Sequence, residues 1–168
     1  MRILTAPISR DTIDAGIRAA TYPGHSPARW ALPLLDALAP AVEAWHLVEL
    51  DEAALGALWL PAHAGEACHG DTQRLGDASD GSDVRTAHAW LTTHGEAYAQ
   101  ANPSCWGRLR HAAASPQHPI VVSPVSVGDR IKPAGAALVV VDGYHRALGY
   151  WMAGHRTCPA YLPVLRQS

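Results

Sequence analysis

A chain of 168 residues and 17.9 kDa is the size of one ordinary domain, and 48% hydrophobic against 17% charged residues suffices for a packed core and excludes wholesale disorder. The formal charge of -2 and a pI near 6.5 disfavour a surface built around nucleic acid, which needs excess positive charge. No apolar run approaches the roughly 18–20 residues of a membrane-spanning helix, so no membrane partner is expected.

The opening MRILTAPISRDTID sets Arg2, Arg10 and Asp11 beside a very short apolar stretch. That is not a signal-peptide pattern, and the expected compartment is the cytoplasm. Arg2–Pro7 reads as a strand and Arg10–Ala20 as a short helix with Ser9 or Asp11 near its start. TYPGHSPA, residues 21–28, is a turn-rich loop, because two prolines and a glycine resist regular structure. Trp30–Ala39 carries Trp30, Leu34, Leu35 and Leu38 at helical spacing. Trp45–Leu50 reads as a strand, after which Asp51 opens a helix whose Leu55 and Leu58 face the core.

Residues 61–103 are hard to read. The loop-rich part, 61–83, is full of Gly, Asp, Ser and His without a sustained period, a texture typical of functional loops. Val84–Gln100 is predicted helical, with Trp90 and Leu91 on its apolar face, and so is Trp106–Ala114. PIVVS (119–123) and AALVVV (136–141) are β-branched runs bounded by Gly and Pro, hence strands. The second delivers Asp142, Gly143, Tyr144, His145 and Arg146 into a predicted helix, Arg146–Ala153, stopped by Gly154. Pro159–Val164 is a last strand. The expected organisation is one domain over 1–168: residues 104–168 carry the core, and 1–103 elaborate it.

A strand that feeds DGYHR into a helix start is a sound anion site. The first turn of a helix has N–H groups without intrahelical partners, and its dipole favours negative charge. Gly143 allows close backbone approach. His145 and Arg146 add donors, and Asp142 can hold a hydroxyl, orient His145 or help bind magnesium. The plainer alternative is that Asp142 caps the helix and Arg146 pairs with a surface carboxylate.

The segment PIVVSPVSVGDRIKPAGAALVVVDGYHRALGYWMAGHRTCPAYLPV resembles the core of the ParB/sulfiredoxin-like superfamily. The shared elements are a PI-V strand, a partner strand ending in a DG-x-HR-type motif, a helix with an A…G end, and a -PA- strand. The match covers roughly residues 106–164. It implies an α/β (α+β) fold, with a small mixed sheet surrounded by helices. Chromosome-partition members bind CTP and DNA and carry a helix-turn-helix after this core. Here the chain stops soon after Val164 and is acidic, which disfavours that activity. Sulfiredoxins place a cysteine in a G-C-H-R context where this chain has Tyr144. Free-serine kinases of the fold carry D-G-H-H-R, the nearest match to DGYHR.

The kinase-like resemblance implies a nucleotide-dependent phosphotransferase acting on a small hydroxylated metabolite, such as a free amino acid. The cofactor would be ATP or ADP, with CTP a further candidate, together with Mg2+. Gly143, Tyr144, His145 and Arg146 would cradle the phosphates. Asp142 would meet the substrate hydroxyl or the metal, with His145 beside it as a catalytic group. The family's glutamate base from the N-terminal half corresponds first to Glu66, in the Pro61/His63 context, and second to Glu52. Arg29 and Ser123 are the candidate substrate contacts. A nucleotide-binding switch without transfer chemistry is the alternative function, with a nucleic-acid-acting protein behind it.

Competing constellations are weaker. His63, Cys68 and His69, with Cys105 or His111, lack the spacing of a zinc site. Cys-His catalysis through Cys68, Cys105 or Cys158 has no local signature, and three widely spaced cysteines do not suggest a disulfide framework. Tyr22, His25, Ser26 and Arg29 form either a substrate clamp or an ordinary turn, with Ser26 capping a helix that Pro27 begins. The six tryptophans read as core rather than base-stacking platforms, since no basic stripe interleaves with them.

Overall fold

The computed structural model describes residues 1–20, 27–61, 81–115 and 118–167. The elements in chain order are β1 (Arg2–Ile8), α1 (Arg10–Ala19), α2 (Pro27–Leu38), β2 (Val42–Leu50), α3 (Glu52–Gly56), β3 (Trp59–Pro61), β4 (Gly81–Asp83), α4 (Val84–Ala101), α5 (Pro103–Ala114), β5 (Ile120–Ser123), β6 (Val139–Asp142), α6 (Tyr144–Met152) and β7 (Cys158–Leu165). The described strands form one seven-stranded mixed sheet in the order β1-β2-β7-β5-β6-β3-β4. β7 with β5 and β6 with β3 are parallel pairs, and the other neighbours run antiparallel. The α+β class with helices around a mixed sheet is therefore the observed architecture.

Capping chemistry sets several boundaries. Ser9 accepts from the Thr12 amide at the start of α1, Asp51 from Ala54 at α3, and Asp83 from Thr86 at α4. Pro27 is the first residue of α2, while Ser26 lies outside the described residues. The predicted strand at 136–141 is shorter than expected and shifted: β6 runs Val139–Asp142, so the sheet reaches Asp142 itself. Leu58 is buried as expected, but just beyond the end of α3 rather than within it.

The sheet is covered on both faces, which explains the unbroken apolar runs of its central strands. On one side, Ile13, Ile17, Leu35 and Leu38 of α1 and α2 pack on Trp45, Val121, Val141 and Tyr161. On the other, Leu55, Leu91, Tyr98, Leu109, Leu148 and Trp151 of α3–α6 pack on Val48, Ile120, Val122, Val140 and Ala160. Trp45 and Trp151 are core as expected, whereas Trp30 is largely exposed.

Gly149 fixes how closely α6 approaches α5. A Cβ there would lie 2.8 Å from the Leu109 carbonyl oxygen and 2.9 Å from the Ala112 Cβ. Because a backbone atom blocks the space, Gly149→Ala is expected to cost about 1–3 kcal/mol by overpacking, despite alanine's better helix propensity. Urea denaturation checks this, and an unchanged or raised midpoint would show that the helices can separate freely.

Candidate functional site

β6 ends at Asp142, and the chain then turns through Gly143 at φ 96° and ψ 28°, the left-handed region, before α6 begins at Tyr144. Only glycine takes this conformation without strain, and space also demands it: a Cβ on Gly143 would lie 2.6 Å from Ile120 Cγ2. The turn is pressed against the entrance of β5. Arg146, 4% exposed, donates from one guanidinium nitrogen to the Pro119 carbonyl at 3.0 Å and from another to Asp142 Oδ2 at 2.5 Å. The ion pair is well shielded, with side-chain exposures of 5% and 15%.

The fork of Arg146 thus points inward. It ties the end of β6 and the start of α6 to the residue before β5, where the resemblance had it gripping phosphate. Asp142 does not cap α6, since the cap position belongs to Gly143 and carries no side-chain bond. Arg146 does pair with a carboxylate, but its partner is Asp142 rather than an unrelated surface residue. Oδ2 is engaged, which leaves Oδ1 as the oxygen suited to a hydroxyl or a hard cation.

His145 brings in a residue from 40 positions upstream: its Nε2 lies 3.3 Å from the sulfur of Cys105. The Tyr98 hydroxyl donates to the same sulfur at 2.9 Å. Cys105 and Tyr98 are both buried, at 0% and 1% exposure. The convergence has a local origin. Asn102 alone joins α4 to α5, with its backbone and side-chain amides both bonded to the Tyr98 carbonyl, and Pro103 starts the next helix. The last turn of α4 and the first turn of α5 therefore meet. The contact at Gly149 then sets α5 beside α6. Cys105 meets His145 and Leu109 meets Gly149, so the two helices run in the same sense with their N-terminal ends together.

The other predicted site residues that lie within the described residues are not gathered at this turn. Ser123 sits at the far end of β5, opposite Val139, and its hydroxyl accepts from the Val125 amide at 3.1 Å. Three residues of strand, about 10 Å, separate that register from Asp142. Ser123 is a turn-forming residue. Arg29 belongs to α2 on the opposite face of the sheet and lies over the Trp30 ring at 5.4 Å. Glu52 opens α3 at the same end of the sheet as the turn, but it is exposed and faces Arg156 at 3.4 Å. Glu66 lies outside the described residues, as do Tyr22, His25, His63, Cys68 and His69. Among the described residues no three His, Cys, Asp or Glu side chains group to hold a metal. Burial pushes the Cys158 thiol up to about 12, so it remains protonated at neutral pH and is not a nucleophile.

A cleft of about 440 Å³ does open elsewhere, lined by Trp59, Asp83, Arg85, Thr86, Pro133 and Ala136 among others. It lies at the opposite end of β6 from the DGYHR turn, because Trp59 is in register with Val139.

Tyr98 is the participant that sequence reasoning missed. Its seven-residue spacing from Cys105 becomes a contact only because Asn102-Pro103 breaks the helix between them, and that dipeptide is the available signal.

No curated protein and no solved structure matches the chain. Residues 31–165, which include all of β2 through β7 and both partners of the Cys105–His145 contact, match the model of a family of unknown function, DUF6309, and the chain belongs to that family.

Proposed function

We propose that the chain is a nucleotide-dependent phosphotransferase acting on a small hydroxylated metabolite, in the first place a free amino acid of the serine type. The nucleotide phosphates would lie against the Gly143–His145 end of α6. One observation carries the reading: a left-handed glycine joins a buried strand to a helix start, and a shielded ion pair holds the junction rigid. Successive amides in such a turn converge on an anion, and rigidity removes the cost of organising them.

Arg146 is a positioning residue in this reading. It holds Asp142 and the turn, while the α6 amides and the His145 imidazole make the phosphate contacts. Mg2+, which keeps most of its water, would ride on the phosphate oxygens, which leaves the single carboxylate oxygen Asp142 Oδ1 to meet the substrate hydroxyl. The metal would neutralise charge on the transferring phosphoryl group. In the transfer, the substrate hydroxyl oxygen bonds to the terminal phosphorus as the bond to the leaving oxygen breaks. The hydroxyl proton passes to a carboxylate, for which Asp142 is the candidate among the described residues at the turn.

Calorimetric titration with ATP, ADP and CTP, each with Mg2+, tests the site. Wild type is expected to bind at least one of them, His145→Gln to bind about tenfold or more weakly, a loss of about 1.4 kcal/mol, and Asp142→Asn to retain binding. Transfer to hydroxylated amino acids, followed by phosphorus NMR, is expected to fall at least about tenfold in Asp142→Asn. No binding of any of the three nucleotides would end the reading. Binding without transfer would replace it with a nucleotide-responsive binding protein.

A further inference from the structure

The cleft at the far end of β6 is lined by two opposite charges, Asp83 and Arg85, which stand close together at the start of α4. Neither is ion-paired among the described residues, with the other or with a third group. The Asp83 carboxylate accepts from Thr86, from its amide at 2.9 Å and its hydroxyl at 2.8 Å, and no cation balances its charge. The Arg85 side chain is exposed, with its guanidinium carbon 5.9 Å from the centroid of the Trp151 ring, so its donors are open to an acceptor.

We propose that this cleft binds a free α-amino acid with an apolar side chain, its carboxylate on Arg85 and its ammonium group on Asp83. Charge decides the class. A simple anion drawn to Arg85 is repelled by Asp83, and a simple cation drawn to Asp83 is repelled by Arg85. A zwitterion is attracted by both. The guanidinium fork matches a carboxylate, and the ammonium donors suit the lone pairs left on Asp83. Recognition rests on side chains and not on the helix start, since the Val84 amide is bonded to the Leu58 carbonyl and the Thr86 amide to Asp83.

The remaining walls suit an apolar body. Ala57, Trp59, Pro133 and Ala136 line a cleft of about 440 Å³, a size common for small-molecule sites. The Pro133–Ala136 wall is preformed: the Ala136 amide donates to the Pro133 carbonyl at 3.0 Å, and Lys132 Nζ donates to the Ala136 carbonyl at 2.6 Å. Trp59 is a second, independent sign of an occupant. Its indole Nε1 is buried with no acceptor among the described residues, an uncommon and costly state. No hydrogen bond through Nε1 fixes the ring, so a small turn can bring its N–H to the carboxylate of the bound amino acid.

Titration of isotope-labelled, nucleotide-free protein with L-leucine, followed by NMR, tests the site. Leucine is expected to bind saturably and to move the Arg85 and Thr86 amide signals and the Trp59 indole signal, while Gly143 stays still. Its deaminated and decarboxylated analogues, isocaproate and isoamylamine, should bind at least about tenfold more weakly, as should L-serine, which lacks the apolar body.

Arg85→Gln and Asp83→Asn should each weaken leucine binding at least about tenfold. Both variants should fold, because glutamine suits an exposed helix position and asparagine keeps the cap. Asp83→Asn also has a signature that unfolding cannot imitate: with the repelling charge gone, it should bind isocaproate more tightly than wild type does. Absence of saturable leucine binding overturns the proposal. So does an analogue or serine that binds as tightly as leucine, a variant that binds leucine like wild type, or a response at Gly143 in place of the cleft. No nucleotide is present, so the fate of the phosphotransferase proposal is separate.

Discussion

Gly143→Ala is expected to destabilise the protein by about 2–5 kcal/mol, the sum of two separate costs. Forcing an L-residue into the left-handed region costs about 1–2 kcal/mol. Overpacking adds about 1–3 kcal/mol, because the new methyl would sit 2.6 Å from Ile120 Cγ2 and 2.9 Å from Ile120 Cβ. Ile120 has no room to yield, being fully buried in a strand bonded to β6 and β7. Urea unfolding of Gly143→Ala, Ile120→Ala and the double variant separates the two costs. The double variant is expected to lose at least about 1 kcal/mol less than the sum of the singles, since shortening Ile120 relieves the crowding but not the backbone strain. Simple additivity would mean that Ile120 does not press on the turn.

Arg146→Ala carries a comparable cost, about 3–5 kcal/mol, for a different reason. The substitution strips the cation from an Asp142 side chain that is 15% exposed and removes a donor from the Pro119 carbonyl. A buried charge without its partner is costlier than no charge at all. Replacing both members, Arg146→Met with Asp142→Leu, should therefore recover much of the lost stability while removing the carboxylate that the proposed chemistry needs. Arg146→Lys should behave closer to the alanine variant than to wild type, because a single ammonium cannot reproduce the two-armed contact with Pro119 and Asp142. Thermal melting of the three variants checks the order, and an Arg146→Ala protein as stable as wild type would show that the pair does not hold the turn. The same result governs how ligand binding is read: a loss of binding in Arg146→Ala reflects the collapse of the turn, so His145→Gln is the cleaner probe.

Much of the framework follows from local chemistry. Ser9, Asp51 and Asp83 stand where a helix start lacks acceptors, and each accepts an amide as its type predicts. The runs Ile120–Val122 and Val139–Val141 are apolar at every position because both faces of the sheet are covered. The DGYHR turn is readable too, since glycine between a strand and a helix is a local conformational requirement.

β3 and β4 were not legible, because three-residue strands such as WLP and GSD have no period to detect and exist only through pairing with each other and with β6. The fate of each polar side chain in the site was equally hidden. Conformation along the chain depends on near neighbours, so propensity and capping encode it. Which atom a side chain meets depends on distant segments. Whether Arg146 reaches out to a ligand or in to Pro119 depends on β5 lying beneath the turn. Whether Cys105 is an ordinary core thiol or the partner of His145 depends on Gly149 letting α6 close on α5, a distance set by packing across 40 residues of chain.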